Sequence, residues 1–228
     1  IGGWPRGRLI QLAGKESSGK TLLALLTIAH WQSLDPENCA AFIDAEFTYD
    51  HKWAAKLGVD NNRVMLIKTN EAAKIITGLV GTSKENSVKK IVKVNGLLDM
   101  IELGQTITSV NEETKKKIKL NLGKMGVIVL DSIANMLTPT DITSDAGKMN
   151  MALMARFLSN ELKKLTEPLA KSNVVMLAIN QVRVEPGKMY GDPTTTPGGK
   201  ALKHACSVMI ELAPLTAKDT VIFDANEE

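Results

Sequence analysis

The sequence predicts an α/β chain, a mostly parallel central sheet flanked by helices in a single domain over residues 1–228. Short runs rich in Val, Ile, Leu and Met recur, each followed by a helical pattern, which is the alternation of a doubly wound sheet. Runs such as Val127-Ile-Val-Leu130 are apolar without alternation, as strands covered on both faces require. At 228 residues and 44% hydrophobic content, the chain can bury one sizeable core.

The first strand is expected at Arg8–Ala13, and a helix at Lys20–Gln32 carries Leu22, Leu23, Leu25 and Leu26. Cys39–Asp44 is the second strand, followed by a helix at Asp50–Leu57. A strand at Arg63–Lys68 leads to a helix at Glu71–Val80. After Val127–Asp131 comes a long helix at Met149–Lys171, then strands at Val174–Asn180 and Cys206–Leu212, with a weaker one at Thr220–Phe223. Residues 82–124 break the rhythm and read as a helical or loop insertion without a good strand. Val88, Ile91, Leu98 and Ile101 approximate helical spacing there, and Asn111–Lys117 reads as a polar helix or mobile loop.

A net charge of +3 does not announce a nucleic-acid binder. From Lys84 to Lys124, however, nine lysines face five acids, which suits either a solvated cap or an auxiliary surface for duplex DNA. Cys39 and Cys206 are far apart in apolar runs and read as buried free thiols ahead of a disulfide or metal pair. With neither an 18-residue apolar run nor a signal-peptide pattern, the expectation is a soluble cytoplasmic protein without a membrane partner. Ile1 stands where a start Met would, so flanking segments are expected to be missing.

GKESSGKT, residues 14–21, fits G-x-x-x-x-G-K-[ST] at every fixed position. Glycines let successive backbone N–H groups turn inward around a phosphate at a helix N-terminus already favourable to anions. Lys20 would reach the β- and γ-phosphates, and the Thr21 hydroxyl would ligate Mg²⁺. An ordinary Gly-Ser turn is the alternative, and the strand before and apolar helix after it argue against that. Asp131, ending an apolar run before Ser132, is a strand-end cap or the acid that organises the water shell of Mg²⁺. Asp44 and Glu46 reach the same edge, where Glu46 is the candidate to orient the attacking water, or else a salt-bridged surface carboxylate. Gln181 follows another strand to that edge and can bond a terminal phosphate.

ESSGKT, FIDAE, KLGVD, the long helix ending near AKSN, INQVR and PGGKALK occur together in an order that resembles the RecA recombinase family of bacteria and phages. The similarity covers nearly the whole chain except residues 82–124, which points to a divergent, phage-encoded member. The resemblance implies a DNA-dependent ATPase that uses ATP and Mg²⁺, forms a helical filament on single-stranded DNA and pairs it with homologous duplex DNA in recombination and repair. Nucleotide contacts would then come from Gly14, Lys15, Glu16, Ser17, Ser18, Gly19, Lys20, Thr21 and Leu22, with Asp131 and Ser132. Asp50 and Trp53 match the segment that touches adenine. Glu46 matches the catalytic glutamate, and Gln181 the residue that senses the γ-phosphate. Residues 139–148 overlap a first DNA-binding loop and residues 182–199 match a second. Met151, Arg156, Ser159, Lys163, Arg183, Gly198, Gly199 and Lys200 match DNA-contacting positions.

The sequence also departs from the family. His204 stands where an aromatic is common, and Glu185 where a basic residue is common. The N-terminal oligomerisation arm and the strand whose lysines reach a neighbour's ATP are expected to be missing, so hydrolysis by this stretch alone is expected to be weak. A hexameric helicase motor of the same fold, or a nucleotide-binding regulator without recombinase activity, are the competing functions.

Overall fold

A computed structural model describes residues 3–85, 91–111, 114–143, 151–184 and 194–213. Strand β1 (Arg8–Gly14) runs into the Gly-rich loop and helix α1 (Lys20–Leu34); β2 (Cys39–Asp44) leads to α2 (His51–Lys56), and β3 (Val64–Lys68) to α3 (Ala72–Val80). Next come β4 (Thr82–Glu85), β5 (Ile91–Val94), α4 (Leu97–Glu102), β6 (Thr106–Val110) and β7 (Lys117–Asn121). The chain continues through β8 (Met125–Asp131), α5 (Pro139–Thr143), α6 (Met151–Ser172), β9 (Val175–Gln181), β10 (Arg183–Val184), β11 (Thr194–Thr195), α7 (Gly199–Ala205) and β12 (Val208–Leu212).

Six strands form one parallel sheet in the order β12-β1-β9-β8-β2-β3. Alternate residues of its inner strands feed two cores, as the two-residue period dictates. Val127 and Val129 pack with Ile10, Phe42 and Leu177 against Leu25 and Ile28 of α1. Ile128 and Leu130 pack with Ile43 and Met176 against α3, α4 and α6 through Ile75, Leu98 and Leu158. Every predicted central strand is present within two residues of its expected bounds, while Thr220–Phe223 lies outside the described residues. Both cysteines are free; Cys39 is buried and Cys206 half-buried, and burial pushes their thiols up to about 11 and about 12.

The expectation of a strandless stretch at 82–124 is corrected. β4 pairs antiparallel with β5, and β6 with β7, so two hairpins flank α4. The apolar positions do not share one helix: Ile91 is in β5, Leu98 and Ile101 are in α4, and Val88 lies outside the described residues. Of the stretch Asn111–Lys117, residues 112–113 lie outside the described residues, Lys117 opens β7, and the part between the strands is held by Asn111 N–H donating to Lys116 O (2.9 Å) and Thr114 N–H to Asn111 Oδ1 (2.8 Å). The hairpin forms because Lys117-Ile-Lys-Leu120 alternates with period two. Leu120, with the half-buried Ile107 and Ile118, joins the core that α4 closes with Leu98 and Ile101. Helix α4 and the β6–β7 hairpin are therefore a cap packed on the core, and the hairpin's lysines 115, 116, 117 and 119 are exposed. Among the described residues no helix is long and apolar enough to cross a membrane.

Candidate functional site

Gly14, Asp44, Asp131 and Gln181 are the last residues of β1, β2, β8 and β9, so all four stand at the carboxyl edge of the sheet. Register places them side by side, Gly14 opposite Gln181 and Asp44 opposite Asp131. In open α/β sheets this edge is where ligands bind. The loop leaving β1 closes with Gly19 at φ 87°, a left-handed turn that glycine adopts without a Cβ clash, and α1 begins there. Lys20 is buried, and its ammonium donates to the carbonyls of Gly14 (3.0 Å) and Lys15 and to Ser18 Oγ (3.4 Å). Burial pulls its pKa below the ordinary lysine value, against the pull of Asp131, Glu46 and Glu16.

Across the loop, the Thr21 hydroxyl donates to Asp131 Oδ2 at 2.7 Å. Asp131 is 4% exposed, and burial, helped by the charges of Glu46 and Asp44, pushes its carboxyl up to about 6 despite the Thr21 bond and Lys20. The Asp131 carbonyl accepts from Ala45 N–H (2.6 Å), and buried Ser132 donates its hydroxyl to Glu46 Oε1 (2.5 Å). These bonds hold Glu46 beside the acid of β8. Asp44 does a different job: its oxygens accept from the N–H groups of Thr48 (3.1 Å) and Tyr49 (3.0 Å), fixing the turn that presents Glu46.

Ser17, Ser18, Gly19, Lys20, Thr21, Leu22, Thr48 and Trp53 line a cleft of about 410 Å³, within the ordinary range for small-ligand sites. Trp53 is 38% exposed and lines the same cleft as the phosphate-loop residues. Asp50, expected beside it at adenine, caps α2 by accepting from Lys52 and Trp53 N–H through Oδ1. Lys15 and Glu16 are exposed at the loop's outer side. Hard oxygen donors from Thr21 and Asp131 fit Mg²⁺.

Of the DNA candidates, Arg156, Ser159 and Lys163 are exposed on α6 at spacings that share one helical face. Gly198 (φ 93°) and Gly199 (φ 55°) begin α7 in the left-handed region. Packing puts this turn on α6, since a Cβ on Gly198 would lie 3.0 Å from Leu158 Cδ1 and one on Gly199 3.5 Å from Ala155 Cβ. Met151, Arg183 and Lys200 fall in α6, β10 and α7. In the second loop, Arg183 pairs with Thr195 and Val184 with Thr194, and residues 185–193, Glu185 among them, lie outside the described residues. In the first, Pro139–Thr143 forms α5, and 144–148 likewise lie outside. His204 is exposed on α7. Sequence reading missed Asn180, which is fully buried and bonded across the second loop; a polar residue ending the run Val175–Ile179 was the available signal.

The phosphate loop, the paired acid and the parallel sheet define a nucleotide-binding α/β core of the P-loop class. The RecA N-terminal domain family matches residues 1–103 and 113–222, and the chain belongs to that family. Within 82–124 the match leaves out only residues 104–112. Protein RecA of Chloroherpeton thalassium is 35% identical over 212 residues, 93% of this chain and 48% of that protein. Protein RecA of Francisella philomiragia is 34% identical over 228 residues, 100% of this chain and 52% of its own length, and that of Francisella tularensis subsp. novicida is 33% identical over the same span. The chain spans about half the length of the curated relatives it matches. These relatives are bacterial proteins, and a phage source is not among what they show.

One consequence of the site's electrostatics is measurable without nucleotide. Asp131 titrates near 6 in the fold against an ordinary 3.8, so stability from this group is full below the lower value and lost as pH rises through the higher. Its ionisation costs the fold on the order of 2–3 kcal/mol at neutral pH. Asp131→Asn, which can still accept from Thr21, is therefore expected to stabilise the nucleotide-free protein by about 1–3 kcal/mol at neutral pH. The gain should shrink towards about pH 4. Urea titrations at both pH values check this, and a variant no more stable than the parent at neutral pH contradicts it.

Proposed function

We propose that the chain is the ATPase core of a DNA recombination protein that assembles into a helical filament on single-stranded DNA and promotes pairing and strand exchange with homologous duplex. ATP, bound at subunit interfaces with Mg²⁺, would stabilise the DNA-binding filament, and hydrolysis would release it. Its setting would be the bacterial cytoplasm or that of a phage-infected host. The observation that supports this reading best is that β9 joins two surfaces. Its last residue lies opposite Gly14 of the phosphate loop, and Val182 N–H donates to Gly14 O (3.2 Å), directly before the loop that returns at Gly198–Gly199.

In this mechanism Lys20 turns from the loop carbonyls to the β- and γ-phosphates, and Gly14–Thr21 wraps them with backbone N–H groups. Thr21 and Asp131 would hold Mg²⁺, which when bound would neutralise charge on the phosphate oxygens. Glu46, positioned by Ser132, orients the attacking water, and Gln181 bonds the terminal phosphate. Arg156, Ser159, Lys163 and the Gly198–Gly199 amides hold the DNA backbone, with Met151, Arg183 and Lys200 beside them. Turnover of ATP with and without single-stranded DNA tests the reading. The expected result is a severalfold rise with DNA that fades as salt increases, and turnover indifferent to DNA contradicts it.

Trp53 is expected to stack on adenine, so Trp53→Ala should weaken ATP binding about tenfold, within the usual range for base–aromatic stacking. The parent's emission change on ATP binding should also vanish in Trp53→Phe. This comparison leaves Trp31 in place, whose indole N–H bonds the carbonyls of Cys39 and Lys124. Unchanged affinity in Trp53→Ala removes the stacking role.

The capping hairpin accounts for its lysines as a solvated outer face. Replacing Lys115, Lys116 and Lys117 with Ala is therefore expected to leave the salt dependence of duplex and single-strand binding unchanged. A duplex slope flattened by roughly two to three, at about 0.9 per phosphate, would make the hairpin an auxiliary DNA surface instead.

A further inference from the structure

Asn180 is the one fully buried polar side chain of β9, with apolar Val175 through Ile179 before it and half-buried Gln181 after it, and it is 0% exposed. Buried polar groups persist where their hydrogen bonds are used. Both ends of this amide are used, and they point to different segments. Oδ1 accepts from Gln181 N–H at 3.0 Å, at the sheet edge opposite Gly14. Nδ2 donates to the carbonyl of Pro197 at 2.8 Å, seventeen residues along the chain.

Pro197 is buried and directly precedes Gly198. The turn it enters has little room to slide: Gly198 lies against Leu158 of α6 and Leu202 of α7. On the other side, Val182 N–H is held by Gly14 O. A planar amide cannot lengthen, so a displacement of the Gln181 backbone pulls on Pro197, and a displacement of the turn pulls on Gln181. Alternative paths through the packed side chains exist, but this one is a direct bonded link of two hydrogen bonds.

We propose that Asn180 is a positioning residue that couples the nucleotide edge of the sheet to the turn opening α7. It touches neither nucleotide nor DNA. The inference rests on the reading above, in which Gln181 faces the terminal phosphate and Gly198–Gly199 faces DNA.

The test compares the parent chain with Asn180→Asp and Asn180→Leu. Asn180→Asp keeps an acceptor for Gln181 N–H and loses the donor to Pro197, whereas Asn180→Leu keeps the approximate shape and loses both bonds. Affinity for a fluorescent single-stranded oligonucleotide is measured with and without a non-hydrolysable ATP analogue, and affinity for a fluorescent nucleotide is measured without DNA. In both variants the ratio of DNA affinities with and without the analogue should fall at least fivefold below the parent's, while nucleotide affinity stays within about twofold, given that allosteric couplings commonly span 5–150-fold. An unchanged ratio in either folded variant overturns the proposal, as does an equal loss of nucleotide affinity, which marks a merely structural residue.

Hydrogen exchange on the unmutated chain keeps the proposal falsifiable if the variants do not fold. Adding the analogue should change protection of peptides covering residues 181–184 and 196–202 together, and a change confined to the first overturns the coupling. A parent whose DNA affinity does not respond to the analogue at all defeats the underlying reading, and the inference falls with it.

Discussion

Lys20→Ala is expected to lower ATP turnover by about 10²–10³, the usual effect of removing one preorganised donor from a developing charge. Folding should survive. The substitution removes a buried cation that burial already disfavours, and places alanine, a strong helix former, in the first turn of α1. The carbonyls of Gly14 and Lys15 lose a donor, but Lys15 is exposed and water can replace it there. Asp131 and Glu46 lose the nearest compensating charge, so the Asp131 carboxyl should rise further from its ordinary value. Turnover measured beside circular dichroism checks both halves, and retained turnover in a folded variant removes the phosphate-loop assignment.

Glu46→Gln is the second large effect, and it should separate binding from hydrolysis. Oε1 of Glu46 accepts from Ser132, and an amide oxygen can accept the same bond, so the side chain should stay in place. What disappears is the carboxylate that orients the water, with an expected fall in turnover of about 10²–10⁴. ATP affinity should stay within tenfold of the parent, about 1.4 kcal/mol, and assemblies formed with ATP should last longer. A larger loss of affinity would instead make Glu46 part of the metal or structural framework.

The central strands were legible because each is a mainly apolar run, and β2, β8 and β9 end on Asp44, Asp131 and Gln181. Arg8–Gly14 runs into the glycine loop, and Met125–Asp131 into its acid. The capping hairpins were not legible. Their strands are only four or five residues long, β6 and β7 are covered on one side only, and the Lys117–Leu120 alternation was outweighed by a helical spacing that spans separate elements. At the site, residue types placed Lys20, Thr21, Glu46, Asp131 and Gln181 on one edge. They could not give the hydrogen-bond partners, because those join residues remote in sequence, Thr21 to Asp131 and Ser132 to Glu46. Asn180 shows the same limit: its type is visible in the sequence, but its bond to Pro197 depends on how the loop returns. Asp50 was assigned to adenine through the family resemblance, and the local geometry gives its Oδ1 to the α2 cap.

Electron microscopy of the chain with single-stranded DNA, ATP and Mg²⁺ tests whether it assembles on DNA. Helical filaments are expected to form with ATP and to persist longer in Glu46→Gln. Closed rings would instead identify a hexameric motor built on the same fold, and neither filaments nor rings would contradict assembly on DNA and leave a nucleotide-binding regulator.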